Sequence, residues 1–279
     1  MKPRRILVVL NGTESDPSLL SQTVAFCAAH EASLDGLFVR RNAASGGDFL
    51  GDAFSTYGME AVLEALDDAA AKASEEAHAA FNAAADDAPD NAIGRFIEYV
   101  GLPLTAMEQE GRLSDLIVMQ KPEGSSLSNQ LNAIETAAFE SGRPVLVLPV
   151  DREPADDFDN VVVAWDGSLE ATRAVVGAMP FLQSAQSVKI LHAGADAEAS
   201  EQLADLAAYL ALHDVKAATR TVPLEGRSAA RALIETSKEN GAELVVMGGF
   251  GAPGWQRSLG RDETTSLLKG LPFAILLAH

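Results

Sequence analysis

The stretch that decides the fold is "DNVVVAWDGSLE", Asp159–Glu170, because the chain contains it twice. Its counterpart is "RRILVVLNGTES", Arg4–Ser15: in each, a strand-like apolar run leads into a polar residue, a glycine and a hydroxyl residue. Self-similarity of this kind marks a duplicated structural unit. "SDLIVM" (Ser114–Met119) likewise matches "AELVVM" (Ala242–Met247), and each half closes on a proline-led run, "PVLVLPV" from Pro144 and "PFAILLAH" from Pro272. Pro144 lies 25 residues beyond Met119, and Pro272 lies 25 beyond Met247. A chain of 279 residues is comfortable for two domains of roughly 140. We read residues 1–150 and 161–279 as two copies of one domain, joined by residues 151–160. The joining segment, "DREPADDFDN", is acidic, holds a proline and lacks periodicity, which is linker composition. Its shortness places the copies against each other as a pseudo-twofold pair.

Within each copy, apolar strand-like runs alternate with helical patterns, the signature of βαβ units and a parallel sheet. In the second copy strands are expected near 160–165, 187–192, 215–222, 243–248 and 272–278, with helices near 168–183, 197–213, 227–240 and 257–269. The first copy repeats the plan with one enlargement. After its second strand (Leu34–Val39) and a glycine-containing loop comes "GMEAVLEALDDAAAKASEEAHAAFNAAA", Gly58–Ala85. There Val62, Leu63, Leu66, Ala70, Ala73, Ala77 and Phe81 recur at helical spacing, which predicts a long amphipathic helix. Its acidic face reads as solvated surface, with a partner surface as the alternative.

The composition excludes several functions. With 40 acidic and 21 basic residues the formal charge is -19, a field that repels nucleic acid and anionic lipid. A small anionic ligand would need backbone donors or a helix N-terminus to overcome it. Cys27 is the only cysteine and sits among Val24, Phe26 and Ala28 on an expected helix, so it reads as a buried, inert thiol rather than a redox group. The opening residues carry only a short apolar run, unlike a signal peptide, and no apolar stretch approaches the roughly 20 residues that cross a bilayer. A cytoplasmic protein is expected.

Open parallel sheets bind ligands at the carboxyl ends of their strands. In the second copy Asp166 follows the first strand, His192 ends the second, and Gly248, Gly249, Gly251 and Gly254 follow the fourth in "ELVVMGGFGAPGW", Glu243–Trp255. Glycines permit close backbone approach, and Ser258 stands near the start of the next helix, whose N-terminus favours an anion. Each residue also has a purely structural reading. Asp166 and Ser168 suit the cap of the first helix, a lone His192 suits a strand end, and glycine-rich turns often only connect elements.

Three segments in order, "VVVAWDGSLEATRA" (Val161–Ala174), "VPLEGRSAARALIE" (Val222–Glu235) and "AELVVMGGFGAPGW" (Ala242–Trp255), together with the final proline-led strand, resemble the universal stress proteins in a tandem form. The segment holding Glu225, Gly226, Ala229 and Ile234 is similar to the family's Glu-Gly-x-Pro-Ala-x-x-Ile, with Ser228 in place of the proline. The resemblance spans essentially the whole chain and is strongest in the second copy. It implies an α/β fold: two tandem five-stranded parallel-sheet domains, doubly wound and of the adenine nucleotide alpha hydrolase-like type, paired through their last strands.

One branch of that family binds ATP through an aspartate after the first strand and a Gly-x-x-Gly-x9-Gly-Ser/Thr motif. Asp166 matches the aspartate, and Gly248 and Gly251 match the opening half of the motif. The closing half departs, because Arg261-Asp262 stands where Gly-Ser or Gly-Thr is expected. A shift by one brings Gly260 into register with Arg261 in the hydroxyl position, leaving Thr264 or Thr265 to supply a hydroxyl. A carboxylate beside a triphosphate weakens binding unless a metal or Arg261 neutralises it. In the first copy, "MQKPEGSSLSNQL" (Met119–Leu131) puts Gln120 and Glu123 in place of Gly248 and Gly251, and Asn11 replaces Asp166. No ATP is expected there, and "EGSSLSN" with Lys121 reads as a capped surface loop.

The resemblance therefore implies ATP or another adenine nucleotide in the second domain only, held by Asp166, His192, Gly248, Gly251, Gly260 and Thr264, with Asp166 meeting a ribose hydroxyl. Catalysis is not expected. The sequence has no Cys or His cluster at metal spacing, no Gly-x-Ser-x-Gly elbow and no Walker loop. A stress-response factor follows, with the first domain as a built-in dimerisation partner and a protein partner or further homodimer left open. Its rivals are a nucleotide-free interaction scaffold built on the helix from about Met59 to Ala85 and a weak nucleotide hydrolase.

Overall fold

In the computed structural model, which describes residues 2–40, 56–89, 92–122, 127–194, 197–248 and 272–279, every apolar run of the repeat forms a strand. The first half runs β1 (Arg5–Leu10), α1 (Asp16–His30), β2 (Ser33–Arg40), α2 (Thr56–Asp86), β3 (Ile93–Val100), α3 (Pro103–Gln109), a 3-10 turn (Gly111–Leu113), β4 (Leu116–Gln120), α4 (Leu127–Ser141) and β5 (Val145–Leu148). The second runs β6 (Asn160–Ala164), α5 (Leu169–Ser184), β7 (Ser187–Ala193), α6 (Ala197–Ala211), β8 (Ala217–Val222), α7 (Ala229–Glu239), β9 (Leu244–Gly248) and β10 (Ala274–Ala278). The expected helix at 257–269 lies outside the described residues.

The strands form one ten-stranded sheet in the order β3-β2-β1-β4-β5-β10-β9-β6-β7-β8. Read inward from either edge, the two halves have the same strand order. All neighbours are parallel except at the centre, where β5 and β10 pair antiparallel with Leu146 opposite Leu276. A twofold relation between two like halves reverses strand direction where they meet, so the antiparallel seam is what a pseudo-twofold pair requires. The halves join through their last strands into a continuous sheet.

Both faces of this sheet are covered, so the strands are near-continuous apolar runs. Alternate side chains enter opposite cores. Ile6 and Val8 join Leu20 of α1, Phe81 of α2, Val175 of α5 and Leu206 of α6 on one face. Leu7 and Val9 join Met107 of α3, Ile134 of α4 and Ile234 of α7 on the other. Each core also contains β6 residues, Val161 and Val163 in the first and Val162 in the second, so both cross the seam. Phe26 of α1 stacks on Phe181 of α5 with centroids 4.9 Å apart. Cys27 is fully buried, and that burial pushes its thiol up to about 12, as suits an inert core residue.

Two elements depart from the sequence reading. The acidic joining segment is a mostly exposed linker that is strapped down at one buried residue, Phe158, and Asn160 already belongs to β6. Phe158 is buried in the core edge-on to Phe181, and the Arg152 guanidinium lies 4.4 Å over its ring. Ser18 and Gln22 of α1 donate to the carbonyls of Val150 and Pro149 just before it. One aromatic residue thus anchors a stretch whose composition is otherwise that of a linker.

The long helix α2 is where periodicity placed it, but its apolar stripe is buried only toward the C-terminus. Ala77 and Phe81 are buried, whereas Val62 and Leu66 are 51% and 54% exposed. The reason is length. Thirty-one helical residues span about 46 Å, while the eight residues of β2 span about 26 Å. Ala73 packs against Gly12, just past the end of β1, so the turns of α2 before it overhang the carboxyl edge of the sheet. No helix among the described residues is long and apolar enough to cross a membrane.

Candidate functional site

At the carboxyl edge of the second half, β6 ends and the chain turns through Trp165, Asp166 and Gly167 into α5. Gly167 has φ +74, a left-handed conformation that favours glycine, and the Gln202 side-chain amide lies close over it. Ser168 caps α5, its Oγ accepting from the Ala171 N–H at 3.1 Å. Asp166 Oδ1 accepts from the Ser168 N–H at 3.0 Å. The capping role considered for these two residues thus divides between them: Ser168 caps, and Asp166 braces the turn while its carboxylate stays exposed.

His192, near the end of β7, has its Nδ1 3.0 Å from the Trp165 carbonyl oxygen, tying the ends of the neighbouring strands together. Gly248, the last residue of β9, has no room for a side chain. A Cβ would lie 2.8 Å from Ala171 N and 3.1 Å from Glu170 Cβ, in the first turn of α5. Opposite, Glu225 (φ 50) and Gly226 (φ 80) make a tight turn after β8, and Ser228 caps α7 by accepting from the Arg231 N–H.

These elements enclose a cleft of about 130 Å³. Its walls are apolar, with Ala164, Ala229, Ala230, Leu233 and Met247, and Trp165, Asp166, His192, Ala193 and Gly248 complete the lining among the described residues. Three residues singled out in the sequence, Asp166, His192 and Gly248, therefore meet on one cleft. Gly251, Gly260 and Thr264 lie outside the described residues, as do Gly249, Gly254, Ser258, Thr265 and the Arg261-Asp262 pair. Sequence reasoning did not single out Trp165, Leu233 and Met247. Each sits at a strand's end or on the cleft face of α7, a position that apolar periodicity assigns to the core. A wider depression of about 520 Å³ beside the strap is lined by Glu153, Asp156, Asp157, Asp159 and Glu243 with Arg152, a surround hostile to anions.

The first half builds the same place differently. The N–H groups of Asn11 and Gly12 donate to the carboxylate of Asp16, at 3.1 and 2.8 Å, and Asp16 is fully buried. Burial pushes this carboxyl up, and hydrogen bonds from Asn11, Gly12 and Thr13 only partly offset it, leaving it above its ordinary value. A Cβ on Gly12 would fall within the backbone of Ala73, so α2 lies directly on the turn. The residue equivalent to Asp16 in the second half is Ala171, so there the exposed Asp166, rather than a buried carboxylate, accepts from the turn at the Ser168 N–H. Gln120, in the position of Gly248, has its Oε1 buried without a hydrogen-bond partner among the described residues.

No protein-family model matches the chain, and no curated protein matches it in sequence. Solved structures do match it in three dimensions. A universal stress protein from Archaeoglobus fulgidus DSM 4304 superposes with a TM-score of 0.66 at 16% identity, over 100% of this chain and 96% of that one. A proposed universal stress protein from Pseudomonas aeruginosa UCBPP-PA14 superposes with a TM-score of 0.56 at 15% identity, over 99% and 93%. The cytoplasmic domain of a prokaryotic cation chloride cotransporter matches at 0.50 and 14% identity, over 99% and 95%. Likeness at such identities is likeness of fold. The chain has the fold of full-length tandem universal stress proteins, here with two like α/β halves sharing one sheet.

Proposed function

We propose that the chain is a tandem universal stress protein whose second half binds an adenine nucleotide at the cleft among β6, β7, β9 and α7. On this reading residues 1–150 and 161–279 are two copies of the family domain. The observation that carries it is the meeting of Asp166, His192 and Gly248, from the ends of three separate strands, on one apolar-walled cleft at the carboxyl edge. The exposed Asp166 carboxylate accepts from a ribose hydroxyl, and Leu233 and Met247 supply apolar surface for the base. Gly251 belongs to the phosphate end by its place in the sequence motif, with Gly260 joining it after a shift by one and Thr264 supplying a hydroxyl from beyond the motif. The first half takes no nucleotide, because Asp16 already occupies the N–H groups of its turn.

The site reads as one for binding rather than turnover. Among the described lining residues no hydroxyl, thiol or amine side chain stands beside Asp166 or His192 to be activated as a nucleophile. At most, slow hydrolysis accompanies binding. A scaffold reading has its own support in the overhanging end of α2, where Val62 and Leu66 are exposed.

Isothermal titration with ATP, ADP and AMP tests the proposal. Binding is expected for the wild type, weakened about tenfold or more by Asp166→Ala, the scale of a lost charge-assisted hydrogen bond. The double substitution Arg261→Gly/Asp262→Ser, which restores the family motif, is expected to tighten it. No heat with any nucleotide, for wild type and double variant alike, removes the nucleotide reading and leaves the scaffold.

A further inference from the structure

We infer that the carboxyl edge of the first half is a docking surface for a basic amphipathic helix of a partner protein. The inference uses residues of the first half alone, so it stands or falls apart from the nucleotide reading.

Helix α2 supplies one side of the surface. The turns from Thr56 to Ala73, about 25 Å of helix, lie past the end of β1. A helix in a protein draws most of its stability from packing its apolar face. Here that face is open, for Val62 and Leu66, one turn apart on the stripe, are both exposed.

A second apolar stretch meets the first. At the carboxyl end of the edge strand β3, "VGLPL" (Val100–Leu104) exposes Val100, Leu102 and Leu104. Arg40 joins the two. It stands beside Val100 in the sheet, and its guanidinium pairs with Asp67 of α2 at 3.1 Å and with Glu98 of β3 at 3.5 Å. Five of the twelve exposed large apolar side chains among the described residues therefore gather at this one corner. Exposed apolar surface of this kind, rimmed by polar groups, marks an interaction site. The second half does not repeat it, since Val222, at the end of the equivalent strand β8, is buried.

The rim decides what fits. Glu64, Asp67 and Asp68 on α2 and Glu98 on β3 are exposed, and Arg40 is already paired with two of these four. From Thr56 to Ala71 the sequence has no lysine or arginine. A second copy would bring the same carboxylates against these and carries a formal charge of -19 itself, so like charges oppose self-association. A helix whose apolar ridge is flanked by lysine or arginine satisfies both features, ridge against stripe and cations against carboxylates.

The test uses a fluorescein-labelled synthetic peptide with leucines at helical spacing and lysines between them, titrated with the full chain and followed by anisotropy. Saturable binding is expected, weakened about tenfold or more when glutamates replace the lysines or serines replace the leucines. Val62→Gln/Leu66→Gln and Leu102→Gln/Leu104→Gln, which change exposed side chains only, are each expected to weaken it about tenfold, with folds checked by circular dichroism. Leu113→Gln/Leu212→Gln, at exposed apolar residues elsewhere, is expected to leave it unchanged. Absence of saturable binding overturns the inference, and so does equal binding of the lysine and glutamate peptides. Binding that survives both folded overhang and loop variants places the peptide elsewhere on the acidic surface and overturns it too. A dimer in sedimentation equilibrium that Val62→Gln/Leu66→Gln abolishes would assign the surface to a second copy instead.

Discussion

A Cβ on Gly248 would stand 2.8 Å from the backbone nitrogen of Ala171, so packing of α5 against the end of β9 requires this glycine whatever binds beyond it. Gly248→Ala is therefore expected to lower stability by roughly 1–3 kcal/mol, the usual range for overpacking a tight contact, as measured by the urea midpoint. An unchanged midpoint would show that the first turn of α5 yields freely. From the sequence alone the same glycine reads as part of a phosphate loop, because glycine types do not reveal which neighbour approaches them. His192 gains in the opposite direction. A lone histidine at a strand end reads as structural, and its bond to the Trp165 carbonyl is structural, yet the same side chain lines the cleft.

At the scale of elements, α2 carries a continuous apolar stripe, and only part of it meets the sheet. Phe81→Ala, in the buried part, is expected to lower stability by roughly 3–5 kcal/mol. Leu66→Ala, on the overhanging part, is expected to change it by less than about 0.5 kcal/mol. Chemical denaturation of the two variants checks the contrast, and a large loss for Leu66→Ala would mean that the overhang is covered. Helical spacing gave the helix and its face correctly, but the point where the face leaves the core depends on strand length and on Gly12 meeting Ala73. The strap shows the same limit. Its acidic residues outnumber Phe158, and composition cannot register that one ring is buried against Phe181.

For the whole molecule, the seam between β5 and β10 and the two cores that cross it bind the halves into a single folding unit. Gly177 of α5 lies so close to Pro144 of the first half that a Cβ would stand 2.9 Å from it. Calorimetry is expected to record one unfolding transition with equal calorimetric and van't Hoff enthalpies. Phe181→Ala, at the centre of the aromatic contacts between the halves, is expected to shift that transition without splitting it. Two separate transitions in the wild type would show that the halves fold independently.

The repeat of "DNVVVAWDGSLE" and "RRILVVLNGTES", with equal spacing to the closing strands, was enough to determine two like α/β halves and the edge of the sheet to search. Those features follow from local periodicity, which a chain carries residue by residue. Tertiary structure alone decided the rest: that both cores run across the seam between the halves, that Asp16 fills the turn of the first half, and that Trp165, Leu233 and Met247 wall the cleft of the second. These depend on contacts between residues far apart in the chain, whose distances and directions exist only once the elements have packed.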